Sequence, residues 1–271
     1  MTKIKKVMSP SCSVVIIARN AEKTISDCLS SLLRQRFKPK EIIVVDNGST
    51  DSTAKIATKF GVKVVYEPIV GRSRARNRGI MESDGELVAF IDADAVADVD
   101  WLAWLMKRYE HGGLAGVAGS IKALNPDKFA AKLLELATAN KPHYGGGNIM
   151  YEKDAIVRVG MFNENLQMAE DVELAWRVLK AGKKIGFEPR AIVYHAHRES
   201  MSELLRQQYN FGKWSVRARK IHGMSTWKQR ALPFAAPLLL IKNLPKIKLH
   251  PILPVFMTVV SVTYGVGALI A

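Results

Sequence analysis

The sequence predicts an α/β fold built on a parallel sheet. Three observations carry that expectation. Short, apolar, β-branched runs recur at residues 13–18, 41–45, 63–66 and 87–91, as in strands buried on both faces. Stretches with apolar residues at helical spacing separate them. Two of the runs end on a carboxylate, Asp46 and Asp92, where such a sheet places its ligands.

Each element has its own signal. After the first run, Ile25, Cys28, Leu29, Leu32 and Leu33 mark one helix face over residues 21–36, and Pro39 closes it. Thr50 or Asp51 can N-cap a helix reaching about Phe60. Residues 74–81 read as a short basic helix. The second half is more mixed. Helices are expected over 101–109, 129–139 and 172–181, the last closed by Gly182. Strands are expected over 114–122 and 192–196, and residues 145–151 read as a glycine turn entering a strand. Residues 200–220 form an amphipathic basic helix carrying Leu204, Leu205, Tyr209, Phe211 and Trp214.

A chain of 271 residues makes one large domain, or one domain and an appendage. Forty Lys and Arg against 25 Asp and Glu leave a net charge of +15, which asks for an anionic partner. The excess is uneven. Residues 198–250 hold eleven Lys and Arg and two acids, and the 21 residues after them hold no charged side chain. Cys12 and Cys28 fit no metal or disulfide spacing and read as reduced core residues. Lys3, Lys5 and Lys6 precede no apolar stretch of signal-peptide type, so the catalytic part is expected in the cytoplasm.

The motifs each admit a plain and a chemical reading. Asp92-Ala93-Asp94 is either a solvated turn or a pair of carboxylates holding a divalent cation that bridges to a diphosphate. Asp46 either closes an Asx-turn or accepts a nucleotide base N–H. Arg72, Arg74, Arg76 and Arg78 form a solvated face or a set of planar phosphate donors. Glu170 and Asp171 favour a helix dipole, or Asp171 is a general base with Glu170 holding the acceptor. His195 and His197 share one strand face, where an imidazole can complete the metal site of Asp94. Arg198 offers a cation to a leaving diphosphate. Neither a dinucleotide-binding nor a P-loop glycine pattern is present.

In combination these residues resemble glycosyltransferase family 2. The carriers are the strand ending Ala18-Arg19-Asn20, Asp46-Asn-Gly-Ser-Thr-Asp51, Ala75-Arg-Asn-Arg-Gly79, Asp92-Ala-Asp94, Gly146-Gly-Asn148, Gly160-Met-Phe-Asn-Glu164, Glu170-Asp171 and His195. They cover about residues 12–215, in the family's order. The resemblance implies a GT-A fold and an inverting transfer from a nucleoside-diphosphate sugar, GDP- or UDP-linked. It implies that Ala18, Arg19, Asn20 and Glu22 line the nucleotide pocket and that Asp46 contacts the base. Arg72 and Arg76 approach base or phosphates, and Asp92 and Ala93 meet the nucleotide sugar. Asp94, with Asp92 and either His195 or His197, holds Mn2+ or Mg2+. Gly146, Gly147 and Asn148 border the sugar, and Asp171 is the base.

The C-terminal part is similar to membrane-anchored archaeal-type mannosyltransferases and to minimal cellulose-synthase-like enzymes. Gln207-Gln208 and Lys213-Trp214 depart from the Q-x-x-R-W motif of processive synthases in spacing and in Lys for Arg, which weighs against polymerisation. Residues 251–271 would reach roughly 30 Å as a helix, the thickness of a bilayer core. The expectation is a catalytic domain over 1–225 and a membrane segment over 226–271 with a transmembrane helix at about 251–271. The preceding Lys and Arg belong on the cytoplasmic side. The expected partners are a nucleotide sugar, a lipid-linked acceptor and the membrane, with mannose favoured. Two other classes compete. A sugar-phosphate nucleotidyltransferase would carry a glycine-rich basic loop after the first strand, where this chain has Ala-Arg-Asn-Ala-Glu. A basic nucleic-acid-binding protein would show a binding motif, and none appears.

Overall fold

The computed structural model describes residues 9–138, 144–196 and 200–271. In chain order the strands are β1 (Cys12–Ala18), β2 (Glu41–Asp46), β3 (Lys63–Tyr66), β4 (Leu87–Asp92), β5 (Ala95–Ala97), β6 (Gly116–Ala123), β7 (Asn148–Glu152) and β8 (Ile185–His195). The helices are α1 (Ile25–Leu33), α2 (Thr53–Lys59), α3 (Arg72–Glu82), α4 (Trp101–Glu110), α5 (Phe129–Thr138), α6 (Lys153–Arg158) and α7 (Glu170–Lys180). Then follow α8 (Met201–Ile221), α9 (Trp227–Ala231), α10 (Ala236–Asn243) and α11 (Leu253–Ile270).

The strands form one sheet in the order β3-β2-β1-β4-β7-β6-β8-β5. Its first half is parallel, as the alternation of runs predicts. The second half is mixed: β7 runs antiparallel between β4 and β6, and β5 runs antiparallel on β8. Strand direction leaves no mark in the hydropathy of a five-residue buried strand, so the sequence could not reveal this. Two further differences are local. Neither Thr50 nor Asp51 is the N-cap of α2: that position falls to Ser52, while Asp51 Oδ1 accepts the N–H of Thr53. The last strand begins at Ile185, seven residues before its apolar end at 192.

Successive strand side chains alternate between faces, and each face gains its own core. Val14 and Ile16 of β1 point towards Leu29 and Leu32 of α1 and towards Trp101 and Leu102 of α4. Val15 points the other way, with Ala75 and Ile80 of α3 and with Leu174 and Val178 of α7. Both cysteines are free and buried in the core of Val14 and Ile16, where burial pushes the Cys12 thiol up to about 12.

A third, smaller core joins α5, α8 and α11 through Leu133, Leu204, Leu253 and Phe256. Here the helices approach backbone to backbone. A Cβ on Gly212 of α8 would lie 1.8 Å from the Tyr264 carbonyl oxygen, and one on Gly267 of α11 would lie 1.8 Å from that of Tyr209. Among the described residues, α11 is the one helix long and apolar enough to cross a membrane, and 39% of it is buried inside the protein. Gly267→Val should therefore cost about 1–3 kcal/mol in a denaturant titration, by overpacking this crossing. Val266→Ala, on a more exposed face, should stay within about 0.5 kcal/mol.

Candidate active site

A cleft of about 1850 Å3 runs along the carboxyl ends of β1 and β4 and under α8 and α11. The sheet register builds its floor. Ile17 pairs with Asp92 and Ala18 with Asp46, so both strand-ending carboxylates flank the end of β1. The β5–β8 pair sets Ala95 opposite His195, which brings the imidazole beside Asp94 although about 100 residues separate them in the chain. His195 Nε2 lies 3.1 Å from Asp94 Oδ1 and 3.7 Å from Asp92 Oδ2. One donor atom from each of the three lies within 4.8 Å of the others. Two carboxylates and an imidazole at this spacing fit a small divalent ion such as Mn2+ or Mg2+.

Electrostatics tie this cluster to the opposite wall. Arg76 is buried on α3, with Nη1 2.6 Å from Glu170 Oε1 and Nη2 3.4 Å from Asp92 Oδ1. Burial acts to raise the Asp92 carboxyl, but His195 and Arg76 prevail and bring it to about 2. Burial and the neighbouring Asp171 push the Glu170 carboxyl above its usual range, against the pull of Arg76. Burial acts to lower His195, yet its contacts with Asp92 and Asp94 outweigh it and push the imidazole up to about 10.

Asp171 is the second residue of α7, which follows Ala169, a non-glycine residue held at φ 62°. Such left-handed backbone persists only where surrounding contacts enforce it, and it frequently marks a functional turn. The Asp171 Oδ2 accepts the N–H of Gly146 at 2.8 Å, and Oδ1 accepts that of Val172 at 2.7 Å. Each oxygen keeps a further lone pair for an incoming proton. Gly146 and Gly147 are the hinge between the two carboxylate groups. A Cβ on Gly146 would lie 2.5 Å from the Arg76 guanidinium carbon, and one on Gly147 would lie 2.7 Å from Asp92 Oδ2.

The remaining sequence-derived residues divide. Ala18, Arg19, Asn20, Glu22, Arg72 and Ala93 line the cleft. Asn20 and Glu22 also clasp the loop after β2: Asn20 Oδ1 accepts the Thr50 N–H at 2.8 Å, and Glu22 Oε2 accepts the Ser52 N–H at 3.1 Å. Asp46 is buried outside the cleft lining, with Oδ1 accepting the Ser49 N–H, three residues on, at 3.2 Å, a bond that closes the turn after β2. Asn148 is also buried behind the floor. Its oxygen accepts from Trp101 Nε1 at 2.8 Å, and its amide donates to the carbonyls of Ser120 and Ala191. His197 and Arg198 lie outside the described residues.

Three features escaped the sequence reading. Asn77 exchanges hydrogen bonds with the backbone of Phe162, docking α3 on the Gly160–Glu164 turn. Trp176 of α7 lines the cleft with Trp214 of α8. Phe256 and Tyr264 of α11 line it too, so the apolar helix forms part of the wall. The glycines at 212 and 267 were the available signal, because paired small residues permit close helix crossings.

Two outcomes follow from the charges. Arg76→Ala strands Glu170 in a buried position and should cost about 3–5 kcal/mol by denaturant titration, whereas exposed Arg72→Ala should cost under about 0.5 kcal/mol. With Asp92 and Asp94 pushing the His195 imidazole up to about 10, an ion bound there would displace its proton. Mn2+ affinity should therefore rise between about pH 6 and pH 9 with one proton released per ion. Calorimetry in buffers of different ionisation enthalpy measures that proton.

A model of the family described as Glycosyl transferase family 2 matches residues 13–163. Glycosyltransferase AglE of Haloferax volcanii is 28% identical over 244 residues, covering 80% of this chain and 80% of that protein. The poly-beta-1,6-N-acetyl-D-glucosamine synthase of Staphylococcus aureus is 25% identical over 234 residues, and the match spans 79% of this chain but only 57% of that protein. Among solved structures, mannosyltransferase PcManGT from Pyrobaculum calidifontis, in complex with GDP-Man and Mn2+, superimposes with a TM-score of 0.71 at 19% identity, covering 97% of this chain and 88% of that one. The sheet, its order of motifs and the matched model agree: the chain belongs to glycosyl transferase family 2 and has the GT-A fold.

Proposed function

We propose that the protein is an inverting, metal-dependent glycosyltransferase that moves a hexose, with mannose favoured, from a GDP- or UDP-sugar to a hydroxyl of a membrane lipid-linked acceptor. One observation carries the reading. The cluster of Asp92, Asp94 and His195 and the carboxylate of Asp171 meet through two adjacent glycines, one against Asp92 and one bonded to Asp171. That leaves an uncrowded floor between a diphosphate-binding side and a proton-accepting side.

Asp92, Asp94 and His195 would hold Mn2+ or Mg2+, which supplies neutralisation of the diphosphate leaving group. Arg72, at the mouth of α3, adds mobile positive charge beside it. Arg76 is fixed in place by Glu170 and gives Asp92 a constant orientation. Asp171 takes the proton of the acceptor hydroxyl as its oxygen attacks the anomeric carbon. The bond from that carbon to the diphosphate breaks in the same displacement, which inverts the centre. The GDP-Man and Mn2+ of the Pyrobaculum structure support the donor and metal assignments.

The C-terminal segment, residues 226–271, supports a lipid-linked acceptor. Trp227, Phe234, Leu238 and Ile241 expose large apolar side chains, Phe234 to 80%. Lys228, Arg230, Lys242, Lys246 and Lys248 alternate with them. Apolar anchors interleaved with cations suit an anionic bilayer surface on the cytoplasmic side. Residues 1–225 then form the catalytic domain, with α11 of the C-terminal segment closing one wall of its cleft.

A thermal-shift panel of GDP- and UDP-sugars, each with and without Mn2+, should give one large metal-dependent shift, which names the donor. Asp171→Asn should retain that shift and lose at least about 100-fold in transfer to a membrane lipid extract. Full activity in that variant would sink the base assignment, and the absence of any nucleotide-sugar shift would sink the reading as a whole.

A further inference from the structure

The base-bearing helix is gripped from behind by a contact that the proposed chemistry does not use. Glu173 lies two residues after Asp171 and is 1% exposed. Its carboxylate accepts three donors. Arg177 Nε and Nη2 bond it at 2.8 and 2.7 Å, and His222 Nε2 bonds Oε1 at 2.6 Å. His222 belongs to another element: it caps the C-terminus of α8, and the turn is completed by Gly223 at φ 62°. One turn earlier on α8, the Arg219 guanidinium sits 5.0 Å from the Trp176 ring of α7.

The contact reaches the active site by two short routes. The Glu173 N–H donates to the carbonyl of Ala169 at 3.0 Å, the residue held left-handed before Glu170 and Asp171. Arg177 bonds the carbonyls of Val159 and Met161, which fix the turn carrying Phe162. Phe162 in turn bonds Asn77 and lies 5.4 Å from the Arg76 guanidinium. At its other flank α8 is locked to α11 through Gly212 and Gly267. A side chain of the α8–α11 layer thus holds the helix whose first turn presents the base.

We propose that the His222–Glu173 contact is a positioning latch, by which docking of the α8–α11 layer sets the first turn of α7 and hence the aim of Asp171. His222 touches no substrate in this scheme. It acts through Glu173, so its loss should slow the chemical step and spare donor binding. The inference rests on the reading of Asp171 as the base and adds the device that orients it. If the α8–α11 layer seats in a lipid surface, the latch also makes turnover sensitive to that seating.

The test uses the full chain with His222→Ala, His222→Gln and Asp171→Asn. Three quantities are measured: hydrogen exchange of residues 170–173, donor affinity with Mn2+, and single-turnover release of nucleoside diphosphate from GDP-mannose and UDP-N-acetylglucosamine with water as acceptor. In His222→Ala, exchange over 170–173 should speed by about tenfold while β1–β4 amides keep their protection. Release should slow by about tenfold, with donor affinity changed by under about twofold. His222→Gln should recover both, because its amide can still donate to Glu173. Unchanged exchange in His222→Ala, a glutamine variant no better than alanine, or loss of protection spread through β1–β4 would each overturn the latch. If Asp171→Asn releases nucleotide at the normal rate while His222→Ala still loosens 170–173, the base assignment falls and the latch stands.

Discussion

A guanidinium buried between two carboxylates is the interaction on which the site depends. Arg76 reaches Glu170 on α7 and Asp92 at the end of β4, so one cation joins the parallel half of the sheet to the helix from the second half. Burying that charge is costly unless every partner is in place, and the surrounding sequence keeps them there. Gly146 lies flat against the guanidinium, Phe162 lies beneath it, and Asn77, the next residue of α3, fixes Phe162. The negative charge around Arg76 exceeds its single positive charge. The excess is available for a further cation, so a metal ion at Asp92, Asp94 and His195 would be compatible with a buried arginine in one cleft.

The C-terminal helices are part of that enclosure. Their apolar side chains divide between two duties. Phe256 and Tyr264 of α11 face the cleft, whereas Val255, Val259 and Ile270 face outwards. The glycine crossing makes this possible, since two helices whose backbones touch present more of their remaining circumference to other surfaces. A single helix can then serve as a wall on one side and as an apolar exterior on the other.

Much of this was legible in the sequence, and the reasons are specific. Buried strands advertise themselves by β-branched runs, so β1 to β4 and the carboxylates ending β2 and β4 were in reach. Asp92, Asp94 and His195 were expected to meet, and β5–β8 pairing brings them together. What hydropathy cannot express is direction and partner. Asn148 follows two glycines in a site motif, yet β7 runs antiparallel and turns its side chain to Trp101 behind the floor. Asp46 ends its strand as expected, and its side chain closes a turn. The apolar stretch at 251–271 forms a helix long and apolar enough for the expected span, and what its composition does not express is that the helix also packs upon α8. Glu173, Arg177 and His222 are too scattered in sequence for any local pattern to unite them.

The pairing of Ala95 with His195 has a topological consequence. The cluster draws together two points about 100 residues apart along the chain. Loop closure over that length is entropically expensive, though it grows only logarithmically. An ion held by the three side chains would act as a removable cross-link across this loop, since the unfolded chain offers no such site. By mass action it favours the closed chain in proportion to the logarithm of its concentration over its dissociation constant. Metal supply and conformational integrity would in that sense be a single variable for this fold.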